Sequence, residues 1–116
     1  MKIKGVDNVF KTLRLKLVGC NFQSPSVEPK PHDVVKIKLE RDNKFDKDAI
    51  AVFNHKDEKI GYVGTAKTVS EGNRRNGCID NLDLKSIVDL DNDDYLAIIT
   101  KFREYFGFID ITVDDI

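Results

Sequence analysis

Residues 34–63, VVKIKLERDNKFDKDAIAVFNHKDEKIGYV, decide how this chain is read. VVKIKL (34–39) alternates apolar and basic side chains, the period-two pattern of a strand with one face buried. AIAVF (49–53) is a short apolar run between polar clusters and reads as a buried strand. The polar residues 54–59 turn it back into IGYV (60–63). Between the first two strands lies RDNKFDKD (41–48), in which Asn43, Phe45 and Asp46 set an amide, a ring and a carboxylate side by side. A hydrophobic core has no use for that trio on a loop.

Working outward, the period of two continues on both sides. LRLKLV (13–18) alternates apolar and basic residues, and Gly19 permits a bend or bulge at its end. Residues 21–33 hold all three prolines and read as a loop or edge segment. After Gly64, residues 65–71 predict a short helix stopped by Gly72 and Asn73. Residues 73–77 predict a loop, with Asn76-Gly77 as its turn. Residues 84–90 and 95–102 predict a hairpin around the turn 91–94, and 108–113 alternates cleanly as a last strand. Six or more short strands without a βαβ rhythm predict a mainly β fold, a small OB-like β-barrel of about six strands with one or two short helices.

Composition bounds the function. The 116 residues are 41% hydrophobic and 34% charged, enough for one domain spanning residues 1–116 with a single core. No apolar run approaches the ~20 residues of a membrane span, and the first residues lack the apolar stretch of a secretory signal, so a cytoplasmic location is expected. Cys20 and Cys78 have no His or Cys neighbours at ligand spacing, which predicts reduced thiols and neither zinc nor any other cofactor. Net charge is −1, yet residues 1–67 carry 14 Lys and Arg against 9 Asp and Glu, whereas residues 68–116 carry 5 against 11. That asymmetry suits a polyanion-facing surface with an acidic opposite side, or a small domain whose solvated faces happen to segregate.

Several chemistries fall away. DLDNDD (89–94) imitates the start of a calcium loop, but Asp94 and Thr100 stand where an EF-hand needs Gly and Glu. His32 and His55 lie in predicted loops without a nucleophile or ligand cluster beside them. No Gly-rich phosphate cradle precedes a helix. The expectation is a protein that is not an enzyme.

The pattern RDN-x-[FY]-D-x-x-AI-x-V, with Gly61-Tyr62 following, resembles the HIRAN domain, a small β-barrel module found at the front of DNA-repair helicases and as free-standing bacterial or phage proteins. The resemblance covers about residues 12–105 and is densest from Lys38 to Val63. It implies an OB-like barrel that binds single-stranded DNA in repair or replication and holds the free 3′ end in a pocket. Asp46 matches the position that accepts a hydrogen bond from the 3′-hydroxyl. Phe45 and Phe22 match aromatic pocket positions, where a ring stacked on a base is worth ~1–3 kcal/mol. Asn43 and Asp42 match positions that bond the terminal nucleotide, Asp42 standing where an amide is usual. Tyr62 matches a pocket-facing position, and Lys44, Lys47 and Lys67 are candidates for phosphate contacts.

The chain departs from the family at Asn21-Phe22-Gln23, where an Arg and two aromatics are common, and at Lys44, where Pro is usual. The same residues also admit structural roles. Asp46 can cap a turn, and Phe45 and Tyr62 can pack in a core. An alternative function is a protein-interaction module docking a helicase or nuclease through the same barrel.

Overall fold

The computed structural model describes residues 10–114. Seven strands form: β1 (Phe10–Val18), β2 (Val34–Leu39), β3 (Ile50–Phe53), β4 (Lys59–Val63), β5 (Cys78–Ile79), β6 (Tyr95–Arg103) and β7 (Phe106–Asp114). Two short helices, α1 (Glu71–Arg75) and α2 (Asn81–Ile87), flank β5. Six of the strands pair antiparallel in the ring β4-β3-β2-β6-β7-β1, and β1 returns to β4, so the sheet closes into a barrel. β5 lies outside the ring and pairs parallel to β1 through Arg14↔Cys78 and Leu15↔Ile79. Closure gives each strand of the ring a neighbour on both sides.

The alternation seen in the sequence sets the inside and outside of the barrel. Leu15 and Leu17 of β1, Val35 and Ile37 of β2, Ile99 of β6, and Ile109 and Ile111 of β7 are buried in one core. Their strand neighbours Lys16, Lys36, Lys38 and Phe108 are only partly buried. Register shifts at Val52/Phe53 and Ile99/Lys101 mark irregularities of the bulge kind, which bend a strand and help a small barrel close.

The closing seam is short. β4 meets β1 only through Leu17↔Val63 and Val18↔Tyr62, the offset contact expected when strands tilt around a barrel. Gly61 is required there: a Cβ on it would lie 2.6 Å from the carbonyl oxygen of Val18 and 3.0 Å from Cys20 Sγ. Just beyond the seam Gly19 takes φ +74, and a 3₁₀ turn over Cys20–Phe22 follows, with Cys20 still packed against the core.

Two expectations about the later half are corrected. Residues 65–69 form a hydrogen-bonded turn, and the helix begins only after Ser70, whose hydroxyl accepts from Asn73 N while the Asn73 side chain accepts from Ser70 N. Gly72 and Asn73 therefore lie inside α1 rather than ending it, and the predicted loop shrinks to the turn at Asn76 and Gly77. Residues 84–90 do not form a strand: Asp80 and Asp83 make a second reciprocal cap and start α2. Leu84, Val88 and Leu90 still reach the core, from a helix and its following turn. Residues 84–90, four apolar and three polar, looked like a strand because the helical signal sat in the polar residues before them.

Candidate nucleic-acid interface

The segment 40–49 is a closed loop with its own scaffold. Glu40 N donates to Ala49 O at 2.9 Å and ties its ends together. Inside it, Asn43 Oδ1 accepts from both Phe45 N and Asp46 N at 2.9 Å, and Asp46 Oδ1 accepts from Asp48 N at 2.9 Å. Side chains thus replace the backbone partners that such a tight loop lacks. Three outside anchors hold it. Arg41 bonds Asp91, Lys85 Nζ reaches Asp48 Oδ1 at 2.6 Å, and the buried Asn81 amide donates to Asp48 O. Helix α2, which the sequence reading made a strand, braces the loop from below.

What this scaffold presents is decisive for Phe45. Its side chain is fully exposed, so it contributes nothing to a core. Lys44 and Lys47 beside it are exposed, and among the described residues no carboxylate pairs with either. Asp46 is half-buried and caps the turn as the alternative reading foresaw, but only through Oδ1. Its second oxygen has no partner among the described residues. Asn43 is spent more fully, since its Nδ2 also donates to Glu40 Oε1 at 2.9 Å.

Glu40 is the hub that the sequence did not reveal. Its carboxylate, 16% exposed, accepts from Lys59 Nζ at 2.7 Å, from the Tyr62 hydroxyl at 2.7 Å and from Asn43. Burial works against its charge, but the bonds from Lys59, Tyr62 and Asn43 outweigh burial and hold its carboxyl below the ordinary value. Glu40 and Tyr62 in turn raise the Lys59 ammonium. The available signal was a carboxylate ending a lysine-dotted strand, and nothing in it names a tyrosine 22 residues later.

Tyr62 faces outward from the seam, half-buried. Its hydroxyl holds Glu40 on the loop side, while a Cβ placed on Gly19 would sit 3.6 Å from its ring, on the side of the 3₁₀ turn. Tyr62 therefore lies between the loop and the turn that carries Asn21 and Phe22. Phe22 is 83% exposed and Asn21 is exposed. Asn21 lines an open cleft of about 470 Å³ together with Cys20, Gln23, Pro25, Phe102 and Tyr105. Asp42, exposed, lines a smaller groove of about 400 Å³ with Lys38, Arg41, Ala51 and Phe53, where Lys38 Nζ lies 5.2 Å from the Phe53 ring centre. Lys67 is exposed on the turn at 65–68.

The arrangement is that of a small closed barrel showing two exposed rings and a templated polar loop on either side of one tyrosine. Among the described residues no three His, Cys, Asp or Glu side chains are placed to hold a metal, and no helix is long and apolar enough to cross a membrane. The family model of the HIRAN domain matches residues 10–79, and the chain belongs to the HIRAN domain family. Among solved structures, the crystal structure of the HIRAN domain of human HLTF is similar, with a TM-score of 0.61 at 17% identity over 87% of this chain and 73% of that one. That likeness is one of fold. No curated protein sequence matches the chain.

Proposed function

We propose that this chain is a non-catalytic module that binds single-stranded DNA and grips its 3′-hydroxyl end, in the setting of DNA repair or replication. The observation that carries the reading is Phe45. A phenylalanine with its whole side chain in water, on a loop held rigid by six or more side-chain bonds, is ready for a stacking partner and serves no packing purpose. The second oxygen of Asp46, without a partner among the described residues, stands one residue away for a hydroxyl, and Lys44 and Lys47, exposed and paired with no carboxylate among the described residues, can meet phosphates. Membership in the HIRAN family supports the same ligand.

The test compares one oligonucleotide ending in a 3′-hydroxyl with the same oligonucleotide ending in a 3′-phosphate. A phosphate dianion against the Asp46 carboxylate is repelled and also loses a charge-assisted hydrogen bond worth ~1.5–3 kcal/mol. The hydroxyl end should bind at least about tenfold tighter. Asp46→Ala should erase most of that preference, whereas Phe45→Ala should weaken both ends alike and leave the melting temperature unchanged. Equal affinity of the wild-type protein for both ends refutes end recognition.

A protein-docking role has one observation in its favour. Val34, Leu96 and Ile98 are exposed on the outer face of β2 and β6, where Val34 and Ile98 are direct register partners. Binding of a helicase or nuclease there would be nearly indifferent to salt, unlike binding to phosphates.

A further inference from the structure

The outer face of β6, β7 and β1 has no part in the loop or the turn just described. β7 lies across the ring from β3, the strand that follows the loop. In register across this face, Arg103 stands opposite Phe106, Lys101 and Lys16 stand on either side of Phe108, and Arg14 stands opposite Asp110. The Phe106 and Phe108 ring centres are 6.3 Å apart with the planes nearly perpendicular, and Lys16 Nζ lies 5.6 Å from the centre of Phe106. Two adjoining clefts cover the face. One, of about 280 Å³, is lined by Arg14, Asn73, Asn76, Thr100, Lys101 and Phe108. The other, of about 550 Å³, shares Thr100, Lys101 and Phe108 and runs on to Arg103 and Phe106.

The charges on this face are unequally satisfied. Arg14 is paired with Asp110 at 3.1 Å, and Lys16 is held by Thr68 O at 2.8 Å and Asn73 Oδ1. Lys101 and Arg103 are exposed, and among the described residues no carboxylate lies within ion-pair distance of either. A barrel face that sets two rings beside Lys101 and Arg103, which have no carboxylate partner among the described residues, matches a ligand with alternating flat bases and phosphates. An apolar helix has no use for the cations, and an acidic peptide has no use for the rings. The hairpin tip also joins this face to the turn: Tyr105, 61% exposed, lines the same cleft as Asn21.

We propose that the β6–β7 hairpin is a second contact region for single-stranded nucleic acid, in which Lys101 and Arg103 hold phosphates and Phe108, with Phe106, meets bases of the strand beyond its terminal nucleotides. The proposal rests on the single-strand reading above but not on recognition of the 3′ end.

The experiment titrates labelled 3′-hydroxyl single strands of about 4 and about 12 nucleotides, both within the usual site sizes of such barrels, against the full chain at several salt concentrations. For the longer strand, the double variant Lys101→Ala/Arg103→Ala should lose about tenfold in affinity, and its log–log salt slope should flatten by about 1.4, or 0.7 for each lost phosphate contact. Phe108→Leu, which keeps apolar volume, should lose about fivefold on the longer strand. The short strand, and its preference for a 3′-hydroxyl over a 3′-phosphate, should be unaffected in both variants. An unchanged salt slope in the double variant, or a loss equal on both lengths, overturns the proposal. So does an unchanged affinity of Phe108→Leu, which would mark a surface for any polyanion. Failure of end recognition shows up separately, as equal binding of the two 3′ ends while the long strand still depends on Lys101 and Arg103. Absence of binding by the wild-type chain to either length overturns both readings.

Discussion

Replacing Glu40 with glutamine keeps the side chain's shape and removes its charge, which tests whether one carboxylate holds the loop to the barrel. In the folded chain Glu40 accepts three bonds, from Lys59 at 2.7 Å, Tyr62 at 2.7 Å and Asn43 at 2.9 Å. Bonds to a charged group are worth ~1.5–3 kcal/mol, against ~1 for neutral ones. The glutamine oxygen can still accept from Tyr62 and Asn43, which share Glu40 Oε1, as neutral bonds, but its amide nitrogen must then face the Lys59 ammonium. The Lys59 side chain is 31% exposed and regains water, so its share is discounted toward that of a surface pair. The net expectation is a loss of about 2–3 kcal/mol, or roughly 8–12 °C in melting temperature for a domain of this length. Thermal melts of wild type and variant across pH supply the check. The Glu40 carboxyl lies below its ordinary value of 4.5, so its contribution is present above that pH and disappears as pH falls through the lowered value. The Lys59 ammonium lies above its ordinary 10.5, so its contribution is present below that pH and is lost only as pH rises through the raised value. The gap between the two proteins should therefore be widest on the neutral plateau and close on acidification. Other carboxylates titrate alike in both proteins and cancel in the comparison. A gap under ~0.5 kcal/mol at neutral pH, the size of an ordinary surface substitution, or one that persists unchanged in acid, refutes the hub.

Two further outcomes follow from the seam. Gly61→Ala puts a Cβ within 2.6 Å of the Val18 carbonyl, a backbone atom that cannot rotate aside, and should cost at least ~2 kcal/mol in urea unfolding; wild-type stability would mean that the strands part there at little cost. Burial pushes the Cys20 thiol up to about 11, so at pH 8 only about one molecule in a thousand carries the thiolate. Its reaction with a thiol reagent should be roughly a hundredfold slower in the folded chain than in the unfolded one, and equal rates would show that the thiol is not shielded.

The strands were legible because their information is local. Period-two alternation in 13–18, 34–39 and 108–113 needs no partner to be seen, and each of these runs falls within an observed strand. The loop was legible for the same reason: an Asn and an Asp at turn positions bond backbone groups two or three residues on, as Asn43 and Asp46 do. The residues 65–71 and 84–90 misled because so short a mixed segment carries no clear period of its own. The choice there was made by caps, Ser70 with Asn73 and Asp80 with Asp83, in which the side-chain acceptors satisfy the free amides of a helix's first turn. Only the tertiary structure brought Tyr62 onto Glu40, Lys85 onto Asp48 across 37 residues, and Lys101 and Lys16 to either side of Phe108. The contact of Lys85 with Asp48 depends on where α2 docks against the loop, and the others depend on strand register and on the stagger with which the barrel closes. A shift of one residue in strand register would turn Tyr62, Lys16, Lys101 and Phe108 to the opposite face.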